Sequence, residues 1–391
     1  MAEGTSITSL NQCNQEMQDS APTAAEPAKL QPRTWILSSP HSGDNSQLMA
    51  LAMTLGWPFE VKRLRYRSIE TLVRLAGLPS LLGVDPASRS ALAPPYPDLI
   101  IAAGRAAEAV AFWLRRHGNP ALRLVYVGTP WSPLSRFDLV IATPQYRLPE
   151  RPNVLHIALP LHGVDNGKLA QAATVWSTRL AHLPRPLTAV LVGGSSGPYV
   201  FTTAAGERLG AAASRLAERS GGSLLISTSA RTPEAVTDAI VKAIKVPHHM
   251  HRFARGNGDN PFLAYLALAS TIIVTADSIS MISEACATSK PVLLFDIEQG
   301  RRSMRAEEQV AQATGKLPPP HWLGRDLTST LFRLAMRFAP PRWSRDLRIV
   351  HRNVMANGHA SWLDQPLPEV PVPMQPDLDR VAGRVRKFFE A

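Results

Sequence analysis

The chain has 391 residues, 45% hydrophobic and 19% charged, a balance that excludes global disorder and leaves room for two domains of ordinary size. Its 42 Lys and Arg against 31 Asp and Glu give a formal charge of +11, which suits anionic partners such as nucleotide phosphates or lipid headgroups without choosing among them. Two cysteines, Cys13 and Cys286, are too few for a disulfide framework or a cysteine-based metal site, so a reducing compartment is expected.

Residues 1–33 are rich in Gln, Ala, Pro, Ser and Thr and read as a disordered leader. They lack the apolar stretch of a secretory signal, and Glu3, Glu16, Asp19 and Glu26 argue against a mitochondrial presequence. No uninterrupted apolar run reaches the roughly 18 residues of a membrane-spanning helix. A cytoplasmic location is therefore expected. Strands are then expected at Thr34–Ser39, Phe59–Leu64, Leu99–Ala103, Leu122–Val127 and Phe137–Ile141, with helices at Asp44–Gly56 and Arg105–His117. After a break around Ala158–Gly167 the pattern restarts. Helices are read at Lys168–Leu183, Thr203–Arg219 and Pro233–Ile244, and strands at Leu187–Val192 and Ser223–Ser227. Thr271–Val274, Asp277–Thr288 and Pro291–Phe295 form one β-α-β crossover. Asp326–Phe338 is expected to be helical, Pro340 and Pro341 to end it, and Asp377–Glu390 to form a basic final helix.

Strands alternating with helices predict an α/β chain of two Rossmann-like domains facing a cleft, with extra C-terminal helices. The expected divisions are 34–160, 161–345 and a tail at 346–391. Candidate chemistry falls at three strand-to-helix junctions. Ala276-Asp-Ser278 precedes a helix with Ser280, Ser283 and Glu284 in its first turns, where α/β proteins hold phosphates and sugars. Asp277 or Ser278 suits the N-cap, and the Glu284 carboxylate suits a vicinal diol such as a ribose. The turn Gly193-Gly-Ser-Ser-Gly197 suits close approach of an anion, its glycines freeing the backbone and Ser195 and Ser196 adding donors. It is neither a Walker A loop nor a dinucleotide fingerprint. The first loop, Ser38–Gln47, carries His41 and Asp44 as candidate bases; alternatively Ser42 or Asp44 caps the helix and His41 is a solvent-exposed loop residue.

His248, His249 and His251 lack a partner at zinc spacing, so no metal is expected there. Arg301, Arg302 and Arg305 stand near the last strand as candidate diphosphate contacts. Lys62–Arg67 running into Leu72–Leu82, and Leu331–Phe338 followed by Trp343, interleave Arg with apolar residues. Such stretches suit either core helices with a basic face or peripheral contact with an anionic inner membrane.

Thr275-Ala-Asp-Ser-Ile-Ser-Met-Ile-Ser-Glu-Ala285 resembles the signature of the mitochondrial-fission (elongated-mitochondria) family. Gly43-x-x-x-Gln47, Pro97–Arg105, Phe137–Ile141 and Asn153-Val-Leu155 agree with it, and the likeness runs from about Thr34 to Arg345. It implies a two-domain GT-B-type glycosyltransferase fold. The plant member acts as an adaptor recruiting a dynamin-like protein, and the high Ala, Arg and Pro usage here looks bacterial. More distantly the chain is similar to the transferase that adds N-acetylglucosamine to the lipid-linked peptidoglycan precursor. That likeness implies a donor turn at Gly193–Gly197 and a ribose-holding Glu284 beside Ser283. It leaves the base open between His41 and Asp44. A metal-independent glycosyltransferase acting on an envelope-related acceptor is the resulting expectation, with a nucleotide-sugar as substrate, no separate cofactor and no nucleic-acid partner. A nucleoside-diphosphate-sugar epimerase and a non-catalytic adaptor are the alternatives.

Overall fold

The computed structural model describes residues 31–70, 77, 79–254, 259–305, 314–318, 320–341, 344–367 and 377–390. Residues 1–30 of the expected leader, 71–76 and 78 of the first apolar-basic stretch, and Trp343 lie outside them.

Among the described residues the principal strands build two six-stranded sheets, each parallel throughout. The first contains β1 (Thr34–Leu37), β2 (Phe59–Lys62), β3 (Leu99–Ala103), β4 (Arg123–Val127), β5 (Leu139–Ala142) and β6 (Val154–His156), in the order β2-β1-β3-β4-β5-β6. Trp35, Leu37, Ile100, Ala102, Leu124, Tyr126 and Val140 pack on one face. Ile36, Leu99, Ile101, Ala103, Val125, Val127 and Ile141 pack on the other. Burial on both faces explains why these strands are unbroken apolar runs rather than alternating ones. Helices α1 (Ser42–Leu55) and α2 (Ala106–His117) follow β1 and β3.

The second sheet contains β7 (Leu187–Val192), β8 (Ser223–Thr228), β9 (His248–His251), β10 (Thr271–Thr275), β11 (Val292–Phe295) and β12 (Ser361–Trp362), in the order β12-β11-β10-β7-β8-β9. Helix α3 (Asn166–Ser177) leads into it. Helices α4 (Thr203–Ser220), α5 (Glu234–Ala243), α6 (Phe262–Leu268) and α7 (Ile279–Cys286) connect its strands. Counted from β7, the order is the 3-2-1-4-5-6 of dinucleotide-binding domains, and the first sheet follows the 2-1-3-4-5 pattern. The chain is thus an α/β protein of two Rossmann-like domains in a GT-B-like arrangement.

Among the described residues three further helices follow: α8 (Leu327–Phe338), α9 (Leu347–Ala356) and α10 (Leu378–Arg386). The described residues of the expected tail, 346–391, divide between the domains. Leu347, Val350 and Val354 of α9 join the second core with Trp362 of β12. Val381, Ala382 and Val385 of α10 pack instead beside Leu48, Leu51 and Leu55 of α1 in the first. Strands β6 and β12 and helix α9 were not anticipated. The strands are too short for a period to show, and α9 buries Arg348 and His351, which obscure its apolar face.

The domains meet where α1 faces α7. A Cβ on Gly43 would lie 2.9 Å from the Ser280 hydroxyl. Asp346 N donates to Gln145 O at 2.9 Å, and Arg147 bonds Ser344 nearby.

Candidate functional site

In an open parallel sheet, ligands bind beyond the carboxyl ends of the strands at the point where strand order reverses. In the second domain that point lies between β7 and its neighbour β10. The loops leaving those two strands are the Gly193–Gly197 turn and Ala276-Asp-Ser278.

The two loops are joined through a buried carboxylate. Gly193 N donates to Thr275 Oγ1 at 2.7 Å, and Gly194 N to Asp277 Oδ2 at 2.9 Å. A Cβ on Gly193 would stand 2.3 Å from Asp277 Oδ2, and one on Gly194 2.2 Å from Arg231 O, so both positions need glycine. Asp277 is 1% exposed, and desolvation raises its pKa against the opposing pull of Arg231, whose Nη2 lies 2.9 Å from Oδ2. Oδ2 thus holds the turn, while Oδ1 is buried without a hydrogen-bond partner among the described residues. Ser278 is the N-cap residue, and its side chain makes no capping hydrogen bond.

The rest of the turn is tight. Ser196 and Tyr199 exchange backbone hydrogen bonds at 2.9 and 3.2 Å, and Gly197 sits at φ 58°. Ser195 Oγ accepts from Phe201 N at 3.0 Å, and Ser196 Oγ accepts from Arg345 Nη2 at 2.6 Å. Both hydroxyls keep a proton to donate. Arg231 also donates to Ser195 O at 3.1 Å, so two guanidinium groups flank the turn. Neither arginine was singled out in the sequence. Arg231 follows β8, β7's other neighbour, and only the strand order brings that loop here.

Along α7 the candidates separate. Ser280 is half-buried and faces Gly43. Ser283 is 2% exposed and donates to Pro160 O at 2.7 Å, joining the segment between the domains to the helix. Glu284 retains some solvent contact, and among the described residues it has no hydrogen bond or ion pair. Desolvation pushes its carboxyl up to about 7. From α9, His351 Nε2 bonds Ala276 O at 2.6 Å and fixes the loop from behind, its ring edge-on to Trp362.

Across from α7 lies the loop after β1. Asn45 clamps Ser39 from both sides: Oδ1 accepts from Ser39 N and Nδ2 donates to Ser39 O, each at 2.8 Å. Ser39 Oγ donates to Asp44 Oδ2 at 2.7 Å, and His41 Nδ1 stands 3.7 Å from that oxygen. His41 is the N-cap residue of α1 without a side-chain capping bond, and its ring is 72% exposed. The loop thus holds an imidazole beside a carboxylate with Nε2 left to act, on the opposite side of the domain junction from Ser280.

Other candidates lie elsewhere. Arg305 is committed to both oxygens of Asp364, at 2.9 and 2.8 Å, and Arg302 to the carbonyls of Leu323 and Gly324. His249 packs against Tyr265 and Trp176. Among the described residues no group of three or more His, Cys, Asp or Glu side chains is placed to hold a metal. A cavity of about 960 Å³ is lined by Arg208, Arg215, Asp296, Ser303, Arg305 and Asp364 among others; Arg305 lines it, whereas the glycine turn, the α7 residues and the His41–Asp44 loop do not.

The family described as Mitochondrial fission ELM1 matches residues 42–320. The Arabidopsis thaliana protein named Mitochondrial fission protein ELM1 is 29% identical over 249 residues, which are 56% of this chain and 58% of that protein. The chain thus spans little more than half the length of that relative. An uncharacterised protein of Rickettsia prowazekii (strain Madrid E) is 26% identical over 298 residues, 67% of this chain and 82% of the other. Among solved structures, Acinetobacter baumannii MurG has 13% identity and a TM-score of 0.39, covering 91% of this chain and 99% of its own. A UDP-glucosyltransferase from Polygonum tinctorium has 13% identity and a TM-score of 0.44, with 93% and 100% covered. The Neisseria meningitidis UDP-GlcNAc 2-epimerase bound to UDP-GlcNAc has 12% identity and a TM-score of 0.38, with 83% and 98% covered.

Proposed function

This chain belongs to the mitochondrial fission ELM1 family, and on that premise we propose that it is a metal-independent glycosyltransferase using a nucleotide-sugar held on the second-domain side of the cleft. The observation that carries the reading is Glu284: a desolvated carboxylate with no partner among the described residues, two turns from the strand-order reversal. A desolvated acid without a protein partner is costly unless a ligand supplies its hydrogen bonds. A ribose diol has the matching pair of donors. The diphosphate would lie along the Gly193–Gly197 turn, with Ser195, Ser196, Ser278 and Ser280 as donors and Arg231 and Arg345 as counter-charges. Asp277 and Ser283 then support the site rather than touch the ligand.

In the proposed reaction, His41 or Asp44 takes the proton of an acceptor hydroxyl. Its oxygen attacks the anomeric carbon, the bond from that carbon to the diphosphate breaks, and the nucleoside diphosphate leaves with the electron pair. Arginines and the start of α7 stabilise the leaving charge, so the mechanism calls on no metal or further cofactor. The acceptor we infer is envelope-related and met at the cytoplasmic face of a membrane.

The test is a thermal-shift screen of the protein with nucleotides and nucleotide-sugars, repeated with Glu284→Ala. At a ligand concentration about 100-fold above Kd, binding should add about 2.7 kcal/mol of stability, and the variant should lose most of that shift. No shift across the panel would remove the donor site and favour an adaptor. A binder converted to its epimer without acceptor would instead assign epimerisation.

A further inference from the structure

Helix α8 is inside out. Its buried residues are Ser329, Arg333 and Met336, whereas Leu327 is 76% exposed, Leu331 57% and Phe338 75%. Spacings of four and seven residues place Leu327, Leu331 and Phe338 on one stripe, with half-buried Leu334 between them. Trp322 and Leu323, both exposed on the preceding loop, add to the apolar surface. The inversion has a local cause. The Arg333 guanidinium donates to the carbonyls of His321, Pro198 and Arg302 and lies over the Tyr199 ring, a set of partners available only on the inner side. Asp326 and Ser329 close a capping box that locks the helix in this rotation.

The charge left exposed along this segment is positive. From 314 to 341 the sequence holds four cations and one acid. Arg333 is turned inward and Arg325 is paired with Glu298 at 2.9 Å, which leaves Lys316 and Arg337 exposed. The carboxylate of Asp326 is taken by Ser329 N at 2.7 Å. Arg337 extends beside the stripe over the Phe338 ring. No helix among the described residues is long and apolar enough to cross a membrane, and the 12 residues of α8 reach only about 18 Å.

We infer that the outer face of α8, with Trp322 and Leu323, docks on an anionic lipid surface, the helix lying in the interface plane. An apolar stripe with an exposed arginine, Arg337, beside it and aromatic residues at its ends matches that environment. The apolar side chains enter the acyl boundary while Arg337 stays among the headgroup phosphates. The short length forbids spanning, and the excess positive charge disfavours stacking against a second copy of itself. This inference does not depend on the nucleotide-sugar reading, since no residue of the stripe belongs to that site.

Flotation of the full chain with phosphatidylcholine vesicles, with and without phosphatidylglycerol, tests it. Partition onto the anionic vesicles is expected, weakening with salt. Leu331→Glu with Phe338→Glu should lower it about tenfold or more. Arg337→Glu alone should reduce the preference for phosphatidylglycerol. Met53→Glu, at an exposed position on α1, should change nothing. All sites are on the surface, so unchanged melting temperatures are expected and would confirm folding. Absence of partition at low salt would overturn the proposal, as would equal partition by the folded double variant. Self-association of the parent chain, abolished in the double variant and without vesicle binding, would assign the face to a second copy instead.

Discussion

At the scale of single residues, the candidate site separates side chains by what already occupies them. Asp277 and Ser283 sit in the most recognisable motif of the chain, and protein partners hold Asp277 Oδ2 and the Ser283 hydroxyl. Glu284, on α7, has no such partner among the described residues. Its carboxyl is raised from an ordinary 4.5 to about 7, so the folded chain keeps that proton after an unfolded chain has lost it. Glu284 therefore lowers stability as pH rises from about 4.5 to 7, with a cost of about 3 kcal/mol above that window. Glu284→Gln should therefore be more stable than the parent at pH 8 and similar at pH 4, as read from urea unfolding midpoints. A diol donates to the carboxylate only, so nucleotide affinity should climb through pH 7 in the parent and stay flat in the glutamine variant. Equal profiles would dissociate Glu284 from the ligand.

Among the elements, α10 shows how far local pattern reaches. Its position as a final basic helix is legible from the sequence, but its destination is not. It packs on α1, with Arg386 Nη2 reaching Thr54 O at 2.7 Å and Phe389 meeting Trp57 edge-on. Because α1 begins at the His41–Asp44 loop, α10 supports the first-domain side of the cleft. Val381→Ala removes two buried methyl groups and should cost about 2 kcal/mol, including the residual cavity. The loss should appear as earlier amide exchange in α1 and α10, with the second domain less affected. Uniform acceleration in both domains would show that they unfold as one unit.

For the whole molecule, the junction between domains carries an acid-sensitive pair. His162 lies on the segment between the domains, and His351 fixes the β10–α7 loop; burial lowers both to about 4. A histidine depressed below its unfolded value of about 6.5 stabilises the fold at neutral pH, and that stability is lost as pH falls toward 4. Each should withdraw about 2 kcal/mol between pH 7 and 5. His162→Gln should flatten the dependence of unfolding free energy on pH over that range, and an unchanged slope would place the acid sensitivity elsewhere. The sequence by itself determined the two α/β halves, because strands buried on both faces must be apolar throughout. It also determined the family, through the contiguous segment Thr275–Ala285. Only the tertiary structure decided that Arg231 and Arg345 flank the glycine turn, that Asp277 Oδ2 meets Gly194 and Arg231, that α10 returns to the first domain, and that α8 turns its apolar stripe outward. Each of those outcomes depends on partners contributed by distant segments, and no local periodicity records which partner a side chain will meet.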